Sequence, residues 1–274
     1  MNPAANRDPQ RQLPQGRAAQ PAVYLWRGIQ PFGAMVAANQ VHAQRCGHDG
    51  VPRVLFFEPA APVLSLGRRL HGLVAEAPSP PCATTYPRAS AAPAWSAAAG
   101  AAEAPDDHRN RDRDSLAEAI ARGLQVRLDD RGGGATLHQP GQLVAFVAWP
   151  MSREAVPAFV DATLRNLALA LHDLGAMDVT AKVEGGDTGL WRGERKLLSA
   201  GLRHVGGVVR HGFALQICGD LGHGRGLLLC GRRSQGFADL ADTVLSLAPK
   251  PVLAATTVFA AALATASLNT RAGA

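Results

Sequence analysis

Paired cysteines are missing from this chain. The four present, Cys46, Cys82, Cys218 and Cys230, form no CxxC pair and no Cys/His spacing of a structural zinc site, so a disulfide scaffold and a zinc module both lose their framework. Free thiols in a reduced, cytoplasmic setting are the expectation, although any one of the four also fits a small buried hydrophobe. No secretory leader is visible either, because residues 1–21 are polar and rich in Pro, Gln and Arg. They read as a disordered tail. Long apolar runs are scarce: the most apolar uncharged one, Pro251 to Leu268, reaches only the lower edge of membrane-spanning length and is mostly Ala and Thr. It is expected to pack as a helix on the domain, with no membrane partner. Aromatic residues make up 5% and only two are Tyr, which leaves few stacking platforms for nucleic acid. The net charge of +6, from 28 basic and 22 acidic residues, should attract polyanions or acidic proteins, and by itself does not choose between them.

What is present suffices for one substantial core, since 47% of the 274 residues are hydrophobic. Val23 to Trp26 makes a strand-like run ending at Gly28. Pro31 to Arg45 then carries Phe32, Met35, Val36, Asn39 and Ala43 at helical spacing. Val54–Phe57 and Val63–Gly67 are expected to be adjacent buried strands joined by a turn at Pro59 to Pro62. From about residue 71 to 114 the composition shifts to Ala, Pro and Ser, the mark of a flexible insertion. Ser115 to Glu118 then reads as a capping box opening a helix, and Leu124–Leu128 alternates as a strand. A strand at Leu143–Ala148, a helix over Arg153–Leu174 and short glycine-separated strands follow. Residues 22–274 are thus expected to form a single α+β domain with a mixed β-sheet and flanking helices.

Chemistry concentrates around Arg131-Gly132-Gly133-Gly134-Ala135-Thr136-Leu137-His138. Three glycines let backbone N–H groups approach a ligand that a Cβ would hold off, and Arg131 adds a charged fork. Taken alone, the segment also fits a tight hairpin with a hydrogen-bonded histidine. No GK[ST] follows, so it is not a nucleotide P-loop. Nothing in the pattern calls for a metal or a cofactor.

This loop, with Pro140-Gly141-Gln142 behind it, resembles the substrate loop of the octanoyltransferases, the lipoate-protein ligase B type within the biotin/lipoate protein ligase superfamily. Further similarities fall in the family's order: Glu58 to Gly67, Gly189-Leu190-Trp191, Lys196 to Arg203 with Ser199, Ala200 and Gly201, His211-Gly212-Phe213-Ala214-Leu215, and Leu229-Cys230-Gly231. Gln139, Gln216 and Leu229 depart from the pattern, and bear on chain-length preference more than on reaction type. The resemblance implies a biotin/lipoate protein ligase-like fold. It also implies transfer of an octanoyl group from acyl carrier protein to a lysine of lipoyl domains, of 2-oxoacid dehydrogenases or the glycine cleavage H protein. Cys230 would be the nucleophile and Lys196 the cation beside it. The remaining matched residues would line the acyl site. Two other readings share the motifs: an ATP-dependent lipoate-protein ligase, and a non-catalytic protein that binds acyl carrier.

The insertion offers little apolar surface to offset the entropy of ordering it. Replacing about Val74 to Arg113 with a short Gly/Ser linker is expected to leave a cooperatively folding protein, read by urea denaturation. Loss of the unfolding transition would place the segment in the core.

Overall fold

The computed structural model describes residues 21–72, 108–183, 188–229, 232–233 and 237–272. Residues 1–20 of the expected tail, 73–107 of the expected insertion, and Cys230 with Gly231 lie outside the described residues. In chain order the elements are β1 (Val23–Gln30), α1 (Phe32–Asp49), β2 (Arg53–Pro59), β3 (Val63–Leu66), α2 (His108–Ala121), β4 (Gln125–Leu128), β5 (Ala135–His138), β6 (Gln142–Pro150), α3 (Val156–Asp173), β7 (Val179–Lys182), β8 (Gly189–Arg192), β9 (Arg195–Val205), β10 (Val208–Gln216), β11 (Leu228–Leu229), β12 (Arg232–Arg233) and α4 (Pro251–Ala272). Seven strands form one sheet in the order β1-β2-β6-β10-β9-β8-β7, parallel only between β1 and β2, and β4-β3-β5 form a second, smaller sheet. The expected α+β class is observed.

Both faces of the large sheet are buried, which is why β6 reads as a continuous apolar run. Leu143, Ala145, Val147 and Trp149 face α3 and α4, while Val144 and Phe146 face α1 with Phe32, Met35 and Val36. Helix α1 starts after Pro31, which has extended backbone, and stops at Gly50, whose left-handed φ of 73° lets its N–H reach Cys46 O at 2.8 Å. The window Pro251–Leu268 of α4 is long and apolar enough to cross a membrane by length and composition. Here one face, with Val252, Ala255, Phe259 and Leu263, is buried in the core shared with α3.

Three local expectations are corrected. The runs at Val54 and Val63 are not neighbours: β2 lies between β1 and β6, whereas β3 lies between β4 and β5. Pro59 and Pro62 cannot donate ladder bonds, and Ala60 N–H instead donates to Gln30 O at 2.9 Å as the chain crosses between sheets. Ser115 does not cap a helix, because α2 already runs from His108, and Glu118 pairs with Arg122 one turn on at 2.8 Å. The excision point of the insertion therefore belongs before His108. Finally, β1 runs past Gly28 to Gln30 through a register shift made possible by that glycine's φ of 73°.

Phe259 is fully buried and its ring meets Phe56 at 6.0 Å and Phe213 at 5.8 Å, fixing α4 to the large sheet. Phe259→Ala is expected to lower the unfolding free energy by about 3–5 kcal/mol, measured in urea. A loss below about 1 kcal/mol would show α4 to be a loosely held appendage.

Candidate functional site

A pocket opens between the small sheet and the α1 face of the large one. It is lined by Arg131, Thr136 and His138 from the loop and β5, by Ser199 and Gly201 of β9, by His211, Gly212, Phe213 and Ala214 of β10, and by Phe32 and Phe146. Nine of the fifteen binding residues expected from the sequence meet there. The others support it: alternation along β5 sends Ala135 and Leu137 away into a core with Leu64 and Leu66, and Ala200 packs on the α3/α4 side. The glycine loop is pinned through its carbonyls and amides. Gly67 N–H donates to Gly134 O at 3.0 Å and Gly132 N–H to Leu202 O at 3.1 Å. A Cβ on Gly67 would sit 2.4 Å from Gly133 O, so only glycine fits there.

Arg131 is not a loose charged fork. Its Nε donates to Ser65 Oγ at 3.0 Å, its other guanidinium nitrogens to Ser65 O at 2.6 Å and Gly132 O at 3.0 Å, and Ser65 Oγ donates in turn to Asp129 Oδ2 at 2.6 Å. The guanidinium is thereby fixed against β3 with its stem along Gly201, where a Cβ would lie 3.1 Å from Arg131 Cδ. Ser65, the polar residue in an otherwise apolar strand, was legible as a candidate partner. The sequence reading passed over it.

His138 stacks on Phe32, with ring centroids 4.2 Å apart. Its Nδ1 lies 3.0 Å from Gln142 Oε1, while Gln142 Nε2 donates to Leu137 O. That carbonyl fixes the amide's orientation, so Nδ1 carries the proton and Nε2 is the acceptor. Burial, reinforced by the Arg131 charge, pushes its pKa down to about 3, and the imidazole is neutral.

Asp130, also missed although it precedes Arg131 directly, gathers three partners from the large sheet. It accepts from Arg203 at 2.6 Å, from Arg210, and from His211 Nε2 at 2.5 Å. Burial alone would raise its pKa. The His211 bond and the two arginine charges outweigh that and hold it below the usual carboxylate range. His211 is itself lowered by burial, against the pull of Asp130. A neutral ring donating Nε2–H to the carboxylate satisfies both.

Lys196 reaches this side of the sheet through a bulge. On β9 it is three residues from Ser199, a spacing that sends side chains to opposite faces of a regular strand. The pairing with β8 runs Gly189↔Ser199, Leu190↔Leu198, then Trp191↔Lys196, so Leu197 is the extra residue. Lys196 thus joins Ser199 and Gly201 on the pocket face. Its stem passes over Gly189, where a Cβ would be 2.9 Å from Lys196 Cε, and its Nζ lies 5.1 Å from the Trp191 ring centre. Gln139 and Gln216, two departures from the family pattern, are buried with both side-chain polar atoms unpartnered among the described residues. Cys218 follows the end of β10, and burial raises its pKa. The expected nucleophile, Cys230, lies outside the described residues.

The architecture defines a class first. Lipoate-protein ligase A, solved with ATP, shares the fold with a TM-score of 0.53 over 88% of this chain and 85% of that one, at 15% identity. Residues 107–257, more than half of the chain, match the family described as the lipoyl protein ligase A/B catalytic domain. An octanoyltransferase from Leifsonia xyli subsp. xyli is 33% identical over 207 residues, 73% of this chain and 82% of that protein. Another, from Magnetococcus marinus, is 33% identical over 131 residues, 47% of this chain and 60% of that protein. This match, like that to the octanoyltransferase of Alkaliphilus metalliredigens, spans about three-fifths of the relative's length. The chain belongs to the lipoyl protein ligase A/B catalytic domain family, and within it to the octanoyltransferases.

A histidine held neutral carries a pH signature. The unfolded chain's imidazole protonates near 6.5 while His138 in the fold does so only near about 3. Below about 6.5 the unfolded state binds more protons, so stability falls as pH drops through that window. His138→Gln is expected to flatten this fall in urea-unfolding free energies. An unchanged slope would mean that His138 is free to charge in the fold.

Proposed function

We propose that this protein moves a medium-chain acyl group, octanoyl, from the thioester of acyl carrier protein to a lysine of a lipoyl domain, through a thioester on Cys230. The Cys230 thiolate attacks the donor carbonyl. The tetrahedral oxyanion collapses, the carrier's thiolate leaves and takes up a proton, and the acyl group remains on Cys230. A neutral acceptor lysine then attacks that carbonyl, loses a proton to a nearby base, forms the amide and releases Cys230. The observation that carries the reading is the pocket, bounded by apolar rings and neutral histidines suited to an alkyl chain, with Lys196 on its face. A cation there would favour the Cys230 thiolate, and as a neutral amine could accept the incoming lysine's proton. The elevated pKa of Cys218 supports assigning the chemistry to the other thiol. The acceptors would be lipoyl domains of 2-oxoacid dehydrogenases or the glycine cleavage H protein, in the cytoplasm. The basic surface suits an acidic carrier.

Intact-mass measurement after exposure to octanoyl carrier protein is expected to show one octanoyl adduct, retained in Cys218→Ser and absent in Cys230→Ser. Lys196→Met is expected to slow alkylation of Cys230 near neutral pH by about tenfold, the effect of one pKa unit. Transfer that persists in Cys230→Ser, or that requires ATP, would replace the thioester route with a ligase mechanism. Binding of the carrier without any transfer would leave a non-catalytic acyl-carrier binder.

A further inference from the structure

The environment of His211 contains a device that neither the family motifs nor the proposed chemistry assigns. His211 is the one non-glycine residue with positive φ, 62°, among the described residues. Its neighbours at even spacing, Val209 and Phe213, point into the α3/α4 core, and a regular strand would send the imidazole with them. Instead the ring meets Phe146 edge-on at 5.9 Å, on the opposite side of the sheet, and bonds Asp130 at the pocket wall. The backbone conformation has a visible restraint. Asn39 of α1, 1% exposed, accepts from His211 N–H with Oδ1 at 2.9 Å and donates from Nδ2 to Val147 O at 2.9 Å. Val147 is the residue directly opposite His211 in the β6/β10 register. The carboxamide therefore bridges the facing pair, and the backbone donor on one side and acceptor on the other fix which end is oxygen.

We propose that Asn39 is a positioning residue for the acyl pocket: by bridging His211 and Val147 it holds His211 in the left-handed conformation and turns its imidazole out of the core onto Asp130. A left-handed histidine is disfavoured relative to extended backbone and persists only where its surroundings fix it. An apolar side chain at position 39 would leave a buried N–H and a buried carbonyl unpaired. The pair then recovers hydrogen bonding most directly by regularising the strand, which carries the ring to the core side, detaches Asp130 and removes one wall of the pocket. Asn39 acts on acyl binding through His211. The inference rests on the acyl-transfer reading for what the pocket holds, but not for how His211 is held.

The test combines kinetics with nuclear magnetic resonance on the full chain. Asn39→Leu is expected to raise KM for octanoyl carrier protein about tenfold while the maximal rate changes by less than about threefold. His211→Ala should do the same, and the double variant should be no worse than either single one, because the two residues act as one unit. In wild type, a coupling across the hydrogen bond from the His211 amide to the Asn39 side-chain carbonyl is expected, with an Nε2–H tautomer at His211. In Asn39→Leu the His211 amide–Hα coupling should move to an extended-strand value. Additive losses in the double variant, or a fall in maximal rate with KM unchanged, would overturn the positioning role. Absence of the cross-bond coupling in wild type would do so even if Asn39→Leu fails to fold. If wild type transfers no acyl group, the transfer reading fails, and the resonance measurements still decide whether Asn39 holds His211.

Discussion

Asp130 joins two sheets that share no strand pairing among the described residues. It sits at the entrance to the glycine loop of the small sheet, and its carboxylate accepts from Arg203 on β9 and from Arg210 and His211 on β10, all on the large sheet. The pocket is the space between those sheets, so its width is set where this half-buried anion gathers its donors. An ion pair exposed to water would contribute little. Here two guanidinium groups and an imidazole N–H share one carboxylate under partial burial, and the charged form is favoured strongly enough to lower its pKa despite desolvation. Beside it, Arg131, Ser65 and Asp129 form a second polar relay that anchors the same loop to β3. The two relays hold adjacent residues, 129 to 131, to different sheets.

Two departures from regular strand geometry then decide which side chains face the pocket. The extra residue in β9 moves Lys196 to the side of Ser199 and Gly201. The left-handed His211 crosses to the same side one strand away. Such irregularities disrupt regular pairing and need local compensation. At His211 the compensation is visible in the buried Asn39 amide, and at Lys196 in the absence of a side chain on Gly189, whose Cβ would meet the lysine stem. Both irregularities lie on strands whose other residues keep strict alternation into the α3/α4 core, so the scaffold is regular on one face and specialised on the other.

Polarity inside the pocket is arranged without a free charge on its histidines. His138 is neutral through burial beside Arg131, and His211 through burial against Asp130. The Arg131 guanidinium is turned onto Ser65 and Gly132. An alkyl chain placed there meets Phe32, Phe146 and neutral rings, with hydrogen-bonding groups held in fixed directions. Gln139 and Gln216, which do not line the pocket, are buried amides whose four polar atoms have no partner among the described residues.

The sequence by itself determined most of the element types and the α+β class, and it singled out the loop and strands that line the candidate pocket. Those properties follow from short-range periodicity, from glycines at forced turns and from motif order. Thr136 with His138, and Ser199 with Gly201, were legible as pocket-lining pairs because motif and strand alternation agree on them, whereas His211 reaches the pocket against the alternation of its strand. Tertiary structure alone decided that β2 and β3 belong to different sheets, since two apolar runs flanking a proline turn pair equally well in either arrangement. It alone put Lys196 on the pocket face, against the parity of its strand, because a bulge is a matter of register with β8 and leaves no mark in the spacing of residues. Asn39 read as one polar position among helical spacings, and Asp130, next to the glycine motif, went unread. Their roles depend on contacts 172 and 81 residues away along the chain, distances that no local pattern in a sequence can encode.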